Sequence, residues 1–368
     1  MRDTCRRYRA IAQSILQLYK PSPVGHQRRQ LSTLILMICG LVGSRHVHLP
    51  KVVEHTPGGR AADDSVVMRF RRLLKHDGVS YQRWMLPVAQ AVLTSLATQP
   101  LVLVIDGSSV GRGCVALMVS VVYRGRALPL IWMVVAGKKG HFAQELHCAL
   151  LEQLRPLVPA TAQVTILGDG EFDGTRWQRD IEQAGWNYVC RTGCGILLTQ
   201  ADHTISVGQL CPARGNANGV SDVFVTAEKY GPVNVVAVWE AAFDAPLYLV
   251  TNLTDFDQAV GLYRKRAHIE TFFSDQKGRG FQLDKSHVSD PKRLARLLIV
   301  SALAYLWVVY LGTIAPDHPD YARFHRTKRC DLSLFQLGFR LLNYCLRHAR
   351  RLPVGIIPSP PIPIQPSS

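Results

Sequence analysis

Three carboxylates occupy positions where an acidic side chain is costly. Asp106 ends or interrupts the apolar run 101–105, Asp169 follows the apolar run 163–167, and Glu270 lies in a predicted helix. Both runs are rich in Val, Ile and Leu and are predicted strands. A three-strand meander followed by a helix and a fourth strand would place the first and fourth strands side by side. We therefore expect Asp106 and Asp169 to meet at one position of the sheet.

Such a group of acids indicates a cation site. Close carboxylates repel one another unless a proton or a cation lies between them. Oxygen ligands suit the hard divalent cations Mg²⁺ and Mn²⁺. Two such ions, roughly 3.5–4 Å apart, activate a water or hydroxyl and stabilise the leaving oxygen in phosphoryl transfer. Taken singly, each Asp is also explained as a turn or cap residue, so the prediction depends on all three acids together.

The predicted helix 255–277 carries a charged stripe around the third acid. Tyr263, Arg266, Glu270 and Lys277 fall within roughly 60° of one another on a regular helix. Cationic side chains beside an acid would hold a phosphate backbone at the edge of a metal site. An exposed helix with an Arg266–Glu270 pair, worth a few tenths of a kcal/mol, is the simpler alternative. That alternative does not account for the Tyr and the Lys in register with the pair.

The same stretch resembles the signature of a known family. It reads Tyr-x2-Arg-x3-Glu-x6-Lys, from Tyr263 to Lys277, and is similar to the motif of DDE transposases of bacterial insertion sequences, in the IS-four-like group. The likeness extends over about residues 100–310. It implies an α/β fold, with an RNase H-like mixed-sheet catalytic core, a β-rich insertion and a helical N-terminal DNA-binding region. The implied catalytic triad, binding Mg²⁺ or Mn²⁺ as two ions, is Asp106, Asp169 and Glu270.

The resemblance also implies a reaction and its partners. Contacts to the DNA of the element end would come from Tyr263, Arg266 and Lys277. The implied reaction is cut-and-paste transposition, in which metal-dependent strand cleavage at the element ends is followed by 3′-hydroxyl attack on target DNA. The implied partners are double-stranded DNA, as terminal inverted repeats and target, and a second copy of the chain. A homodimer would join the two ends in one complex.

The sequence departs from the family pattern after the second acid. The family usually has Asp-Arg-Gly-Phe or Asp-Arg-Gly-Tyr, whereas this chain reads Asp169-Gly170-Glu171-Phe172. A basic residue is missing and an acid is added. Glu171 and Asp173 could extend the acidic site, but we expect them to be loop residues. The departure leaves open a decayed transposase that binds its DNA ends and represses without cutting them. A separate RNase H-like nuclease or resolvase explains the spacing of the signature less well.

Composition points to a polyanionic partner. The 43 Lys and Arg against 27 Asp and Glu give a net charge of +16, yet 47% of residues are hydrophobic and 19% are charged. A folded chain with this surplus typically meets nucleic acid or an acidic membrane surface, and disordered, collagenous and disulfide-stapled classes are excluded. The nine cysteines, an odd number, fit reduced thiols in a bacterial cytoplasm, where we expect the protein at the nucleoid. Zinc at Cys190, Cys194 and Cys211 is a weaker interpretation than buried thiols.

The chain divides into three predicted regions. Residues 1–95 are helical and predicted to bind the terminal repeats, residues 96–312 form the catalytic domain with its insertion at about 191–245, and residues 313–368 form a C-terminal region. The last region ends in a Pro-rich tail and is a candidate for dimerisation. In the first region, Arg69 and Arg72 are predicted to face outward while Val67, Phe70, Leu73 and Leu74 face a core.

One uncharged stretch is long enough to cross a bilayer. Residues 297–315 carry no charge but include Ser, Tyr, Gly and Thr, and we see no second comparable span. A buried core helix is the better interpretation, and a membrane anchor is the alternative. We therefore expect no membrane partner.

Overall fold

The computed structural model describes residues 2–59, 61–137, 140, 142–201, 203–326 and 331–360. Helices fill the N-terminal part of the chain, a single mixed sheet crosses its middle, and further helices pack on the sheet and follow it. The N-terminal helices are α1 (Arg2–Leu16), α2 (Gly25–Ser44), α3 (Leu49–Glu54), α4 (Asp63–Lys75), α5 (Tyr81–Trp84) and α6 (Leu86–Leu96).

The amphipathic pattern predicted for α4 is confirmed. Its apolar residues are buried, and they are Val67, Phe70, Leu73 and Leu74. Arg69 and Arg72 are exposed on the same helix. The start of α2 reaches the end of α4, where the rings of His26 and His76 lie 5.0 Å apart. Arg28 and Arg29 of α2 are also exposed.

The sheet has ten strands among the described residues, in the order β3-β2-β1-β4-β5-β10-β9-β8-β6-β7. The strands are β1 (Leu101–Ser109), β2 (Cys114–Tyr123), β3 (Arg126–Ala136), β4 (Val164–Gly168), β5 (Asn187–Arg191), β6 (Leu197–Gln200), β7 (His203–Ser206), β8 (Ala217–Val225), β9 (Tyr230–Val238) and β10 (Leu247–Thr251). The first three form an antiparallel meander, and β4 and β5 run parallel to β1. The predicted RNase H-like mixed sheet is therefore confirmed.

The predicted β-rich insertion is also present, and it continues the same sheet. Its strands β6 to β9 join the core through β10, which pairs antiparallel with β5 on one side and with β9 on the other. The sequence pattern showed short β-prone runs in this segment but not which edge they would pair with. The core sheet and the insertion are consequently one continuous layer.

Helices α7 (Gln144–Leu154), α8 (Thr175–Gln183), α9 (Phe256–Tyr263) and α10 (His268–Gln276) lie between or after the strands. The helix expected between the meander and the fourth strand is α7, which begins at Gln144. The last helices are α11 (Pro291–Ile314), α12 (Tyr321–Phe324) and α13 (Leu334–Arg347). Within α11, the window apolar enough to cross a membrane is 83% buried by the rest of the protein. The prediction of a core helix is confirmed for this segment.

The described part of the Pro-rich tail, residues 353–360, lies across the fold. The amide of Gly355 donates to Ser14 Oγ of α1 at 2.9 Å, and Ser95 Oγ of α6 donates to the carbonyl of Pro358 at 2.9 Å. Ile356 between them is fully buried. The remaining residues of the predicted tail, 361–368, lie outside the described residues. The division of the chain into three functional regions stays a prediction, since α11 packs on both α2 and the sheet.

Candidate functional site

The pairing of β1 with β4 brings the first two acids to one level of the sheet. Val104 of β1 lies opposite Leu167 of the parallel strand β4, and Asp106 and Asp169 each follow two residues later. The expectation that they meet at one sheet position is consistent with this register. The end of the first strand differs from the prediction, because β1 continues past Asp106 to Ser109 by pairing with β2.

The helix predicted over 255–277 is interrupted. A 3₁₀ turn, Arg264–Ala267, separates α9 from α10. This turn carries three consecutive cationic residues and buries none of its side chains, whereas α9 and α10 both bury apolar residues. The break leaves Arg266 on the turn and Glu270 in the first turn of α10. The stripe of four residues predicted on one regular helix is therefore distributed over two helices and the turn between them.

Arg266 joins the three predicted acids. Its Nη1 lies 3.3 Å from Asp106 Oδ2 and 4.0 Å from Asp169 Oδ2, and its Nη2 lies 2.7 Å from Glu270 Oε1. The guanidinium side chain is only 17% exposed. The three carboxylates thus converge on one cationic group, which is the compensation that close acids require.

Lys277 and Tyr263 take different positions around this cluster. Lys277 follows α10 directly, and its Nζ donates to Ser108 Oγ at 2.7 Å. Ser108 is buried and stands two residues after Asp106 on β1, so strand alternation places both on the same face. Sequence reasoning missed Ser108, although this two-residue spacing was a usable signal. Tyr263 lies near Arg266, and burial raises its pKa to about 12.

A cavity of about 490 Å³ contains most of these groups. Five of the six predicted site residues line it, and Tyr263 is the exception. The five are Asp106, Asp169, Arg266, Glu270 and Lys277. Burial raises the pKa of Asp106, and the nearby Asp169 and Glu270 add to that rise, while Arg266 and the amide of Gly107 oppose it. Arg266 therefore offsets part of the cost of keeping Asp106 ionised in this cavity.

The unexpected acid after Asp169 also lines the cavity. Glu171 is 13% exposed, and its carboxylate accepts a hydrogen bond from the amide of Phe142. Its Oε1 lies 3.5 Å from His147 Nε2, and burial lowers the pKa of that histidine to about 4, so the ring is neutral at pH 7. Glu171 thus lies in the short 3₁₀ turn after β4 and also lines the acidic cavity, the possibility that the sequence left open. Asp173 does belong to a loop, where it accepts a hydrogen bond from Thr192 Oγ1 at 2.8 Å.

The donor atoms of the cavity are of the type that suits a hard divalent cation, although no three of the described His, Cys, Asp and Glu side chains are placed to hold one directly. Three carboxylates supply oxygen ligands of the type that Mg²⁺ and Mn²⁺ prefer, and they already converge on a positive group. The thiols considered for zinc are arranged differently, because Cys190 is buried while Cys194 and Cys211 are exposed. The interpretation of all three as buried thiols is thus wrong for two of them.

Comparisons with known proteins identify the family of the chain. Residues 97–307 match the family described as a transposase DDE domain, which covers more than half of the chain. One similar solved structure is a cryo-EM structure of a piggyBac transposase synaptic complex with hairpin DNA, at 14% identity and a TM-score of 0.49. That likeness covers 94% of this chain and 80% of the other. No curated protein matches the chain.

Proposed function

This chain belongs to the family of transposases with a DDE domain, and we propose that it cuts DNA at the ends of an insertion sequence and transfers those ends into target DNA. The resemblance of the Tyr263–Lys277 spacing is thereby confirmed at the level of the family. Polynucleotidyl transfer is the general chemistry of this family, and divalent metal ions are its usual cofactors. The observation that carries the finer proposal is the convergence of three carboxylates from β1, the end of β4 and α10.

We assign Asp106, Asp169 and Glu270 as the cation-binding triad. When bound there, Mg²⁺ or Mn²⁺, as two ions, would activate the attacking water or hydroxyl and stabilise the leaving oxygen. The chain's own residues contribute the positions and the negative charges of the three carboxylates. The sheet fixes the first two acids, and Glu270 comes from a helix that packs on β3 and β1. No covalent bond between protein and DNA is needed, because positioning and electrostatics dominate phosphoryl chemistry.

DNA would approach this cavity along its cationic side. Lys277 lies at the rim, on Ser108, and Arg266 and Tyr263 lie beside the acids. Exposed arginines also lie on α2 and α4 in the N-terminal region, to which we assign recognition of the terminal repeats. We further propose a homodimer, since the two ends of one element must be joined in a single complex.

Three substitutions test the triad individually. We expect Asp106→Asn, Asp169→Asn and Glu270→Gln each to abolish strand cleavage, because each removes a charged oxygen ligand and keeps the shape of the side chain. Cleavage is measured with Mn²⁺ on a duplex that carries the terminal inverted repeat found beside the reading frame, and binding of the same duplex is measured without cation.

The matched control is Asp244→Asn, whose carboxylate is fully exposed and outside the cavity. It is expected to cleave like the natural chain. Cation-dependent nicking retained in all three triad variants would overturn the assignment. A natural chain that binds the ends and leaves them intact under these conditions would instead act as a repressor.

A further inference from the structure

Arg266 occupies the position where a bound cation would compensate the negative charge of the three carboxylates. Its two terminal nitrogens reach all three carboxylates, at 3.3, 4.0 and 2.7 Å. Among the residues that the structure describes, no three His, Cys, Asp or Glu side chains are arranged so that they could hold a metal ion directly. The acids are therefore spaced around a guanidinium rather than around a single ion.

The guanidinium is held there by charge. The side chains of Arg266 and Asp106 are 17% and 16% exposed, so water screens their interaction only in part. Removing the cationic partner from a largely buried carboxylate leaves an uncompensated charge, which is strongly destabilising. Any arrangement without Arg266 in the cluster must supply another cation.

We propose that Arg266 is an exchangeable counter-ion, so that its guanidinium and a divalent cation compete for the same carboxylates. This inference rests on the proposed function, in which the triad binds that cation. Because Arg266 lies on the 3₁₀ turn between α9 and α10, its long side chain can leave the cluster without the loss of a strand or helix. A guanidinium binds phosphate as well as carboxylate, through the same planar set of donors. A DNA phosphate at the cavity therefore gives Arg266 a second partner.

This exchange couples the two ligands of the site. When a DNA phosphate binds the guanidinium of Arg266, that group leaves the carboxylates and cation binding is strengthened. Cation binding in turn releases Arg266 to bind DNA. Thermodynamic linkage requires the two effects to be equal. In the absence of DNA, the natural chain is held in a form with reduced cation affinity.

The test measures Mn²⁺ binding without any cleavage step, from the electron paramagnetic resonance signal of free Mn²⁺. We expect Arg266→Gln, in the absence of DNA, to bind Mn²⁺ about fivefold or more tightly than the natural chain. Lys277→Gln is the matched control, because it removes one positive charge from the same cavity but from a side chain that is bound to Ser108 Oγ. An equal gain in the two variants, or no gain for Arg266→Gln, would overturn the proposal.

A second measurement uses the natural chain, in case the variant fails to fold. A short duplex of arbitrary sequence should raise its Mn²⁺ affinity, and Arg266→Lys, which keeps the charge but not the planar donors, should show a smaller rise. A natural chain with the same Mn²⁺ affinity with and without duplex contradicts the exchange. If neither the natural chain nor Arg266→Gln binds Mn²⁺ with or without DNA, the triad assignment itself fails. If Mn²⁺ binds but its affinity is unchanged by substitution of Arg266, only the proposed exchange is overturned.

Discussion

Ser108 and Lys277 line the cavity as a hydrogen-bonded pair, in which a buried hydroxyl positions an ammonium group. Ser108 is 6% exposed on β1, and its Oγ accepts the hydrogen bond from Lys277 Nζ at 2.7 Å. The strand that fixes Asp106 thus also fixes the ammonium, because both side chains stand on the same face. The separation between acid and cation is set by strand geometry rather than by a flexible loop.

Lys277→Gln should lower the salt dependence of DNA binding. Each phosphate that a protein neutralises contributes about 0.9 to the slope of log K against log salt for duplex DNA, so the slope should decrease by about that amount. Ser108→Ala keeps the charge and should leave the slope unchanged, while it weakens binding by roughly 0.5–1.5 kcal/mol through the lost hydrogen bond. The measurement is a salt titration of duplex affinity by fluorescence anisotropy.

The control for this pair is Lys229→Gln, an exposed lysine in the turn between β8 and β9 that does not line the cavity. Its slope is expected to match that of the natural chain. A slope unchanged in Lys277→Gln would remove this lysine from the phosphate contacts.

Most of these side chains could be predicted from the sequence, but their contacts could not. The acids were predictable because carboxylates next to strongly apolar runs are rare, and Lys277 because of its spacing from Glu270. The sequence suggested that Glu171 could extend the acidic site, but not its hydrogen bond to the amide of Phe142, which depends on a distant segment that reaches the second acid only in the folded chain. Such long-range contacts leave no local periodicity in the sequence.

At the scale of elements, helix α10 is anchored by one buried ion pair. Asp275 Oδ2 lies 3.0 Å from Arg126 Nη1, and both side chains are largely buried. Arg126 is the first residue of β3, directly after the two-residue turn Arg124-Gly125, where both residues have positive φ. This turn thus places Arg126, and Arg126 holds the end of the helix that carries Glu270.

The ionisation of Asp275 should make stability depend on pH. Burial raises its pKa to about 6, although Arg126 opposes the rise, whereas an unfolded chain has a value near 3.8. The folded state then binds the proton more tightly, so this carboxyl destabilises the fold above pH 6 and that penalty is lost as the pH falls toward 4. At 1.36 kcal/mol per pKa unit, the effect is roughly 3 kcal/mol.

Asp275→Asn should therefore remove this part of the pH dependence. Urea unfolding of both proteins between pH 4 and pH 7 measures it, and the free energy of unfolding of the variant relative to the natural chain should rise with pH over this window. The control Asp257→Asn changes an exposed acid on α9 and should keep the natural profile. Parallel profiles for Asp275→Asn and the natural chain would show that Asp275 has an ordinary pKa.

The elements themselves were predictable to different degrees. Strands β1 and β4 followed from their apolar runs, and the adjacency of these two strands followed from the order of strands and helix. The break between α9 and α10 did not, because the 263–277 stripe fits a regular helix equally well, and only the cluster of acids around Arg266 distinguishes the two conformations. The joining of the insertion to β10 was also missed, since edge pairing between distant strands is not encoded in their alternation.

At the scale of the whole molecule, residues 353–360 tie the N-terminal helices to the central sheet. Gly355 binds Ser14 on α1, and the hydroxyl of Tyr123 on β2 donates to the carbonyl of Ser359 at 2.9 Å. Ile356 is buried between these contacts. The region proposed to recognise terminal repeats and the sheet that carries the acids are thus held together by a segment distant from both in sequence.

Ile356→Ala tests this connection. Removing a fully buried isoleucine side chain costs about 2–5 kcal/mol, from lost burial and the cavity left behind, so the free energy of unfolding should fall by that amount. The matched change Ile205→Ala, at a 37% exposed position on β7, should cost much less. Hydrogen exchange should accelerate in α1 and α6 in the first variant and not in the second, because those helices lose a packed neighbour. If exchange accelerates uniformly over the sheet and the N-terminal helices, Ile356 supports the general core and not this particular connection.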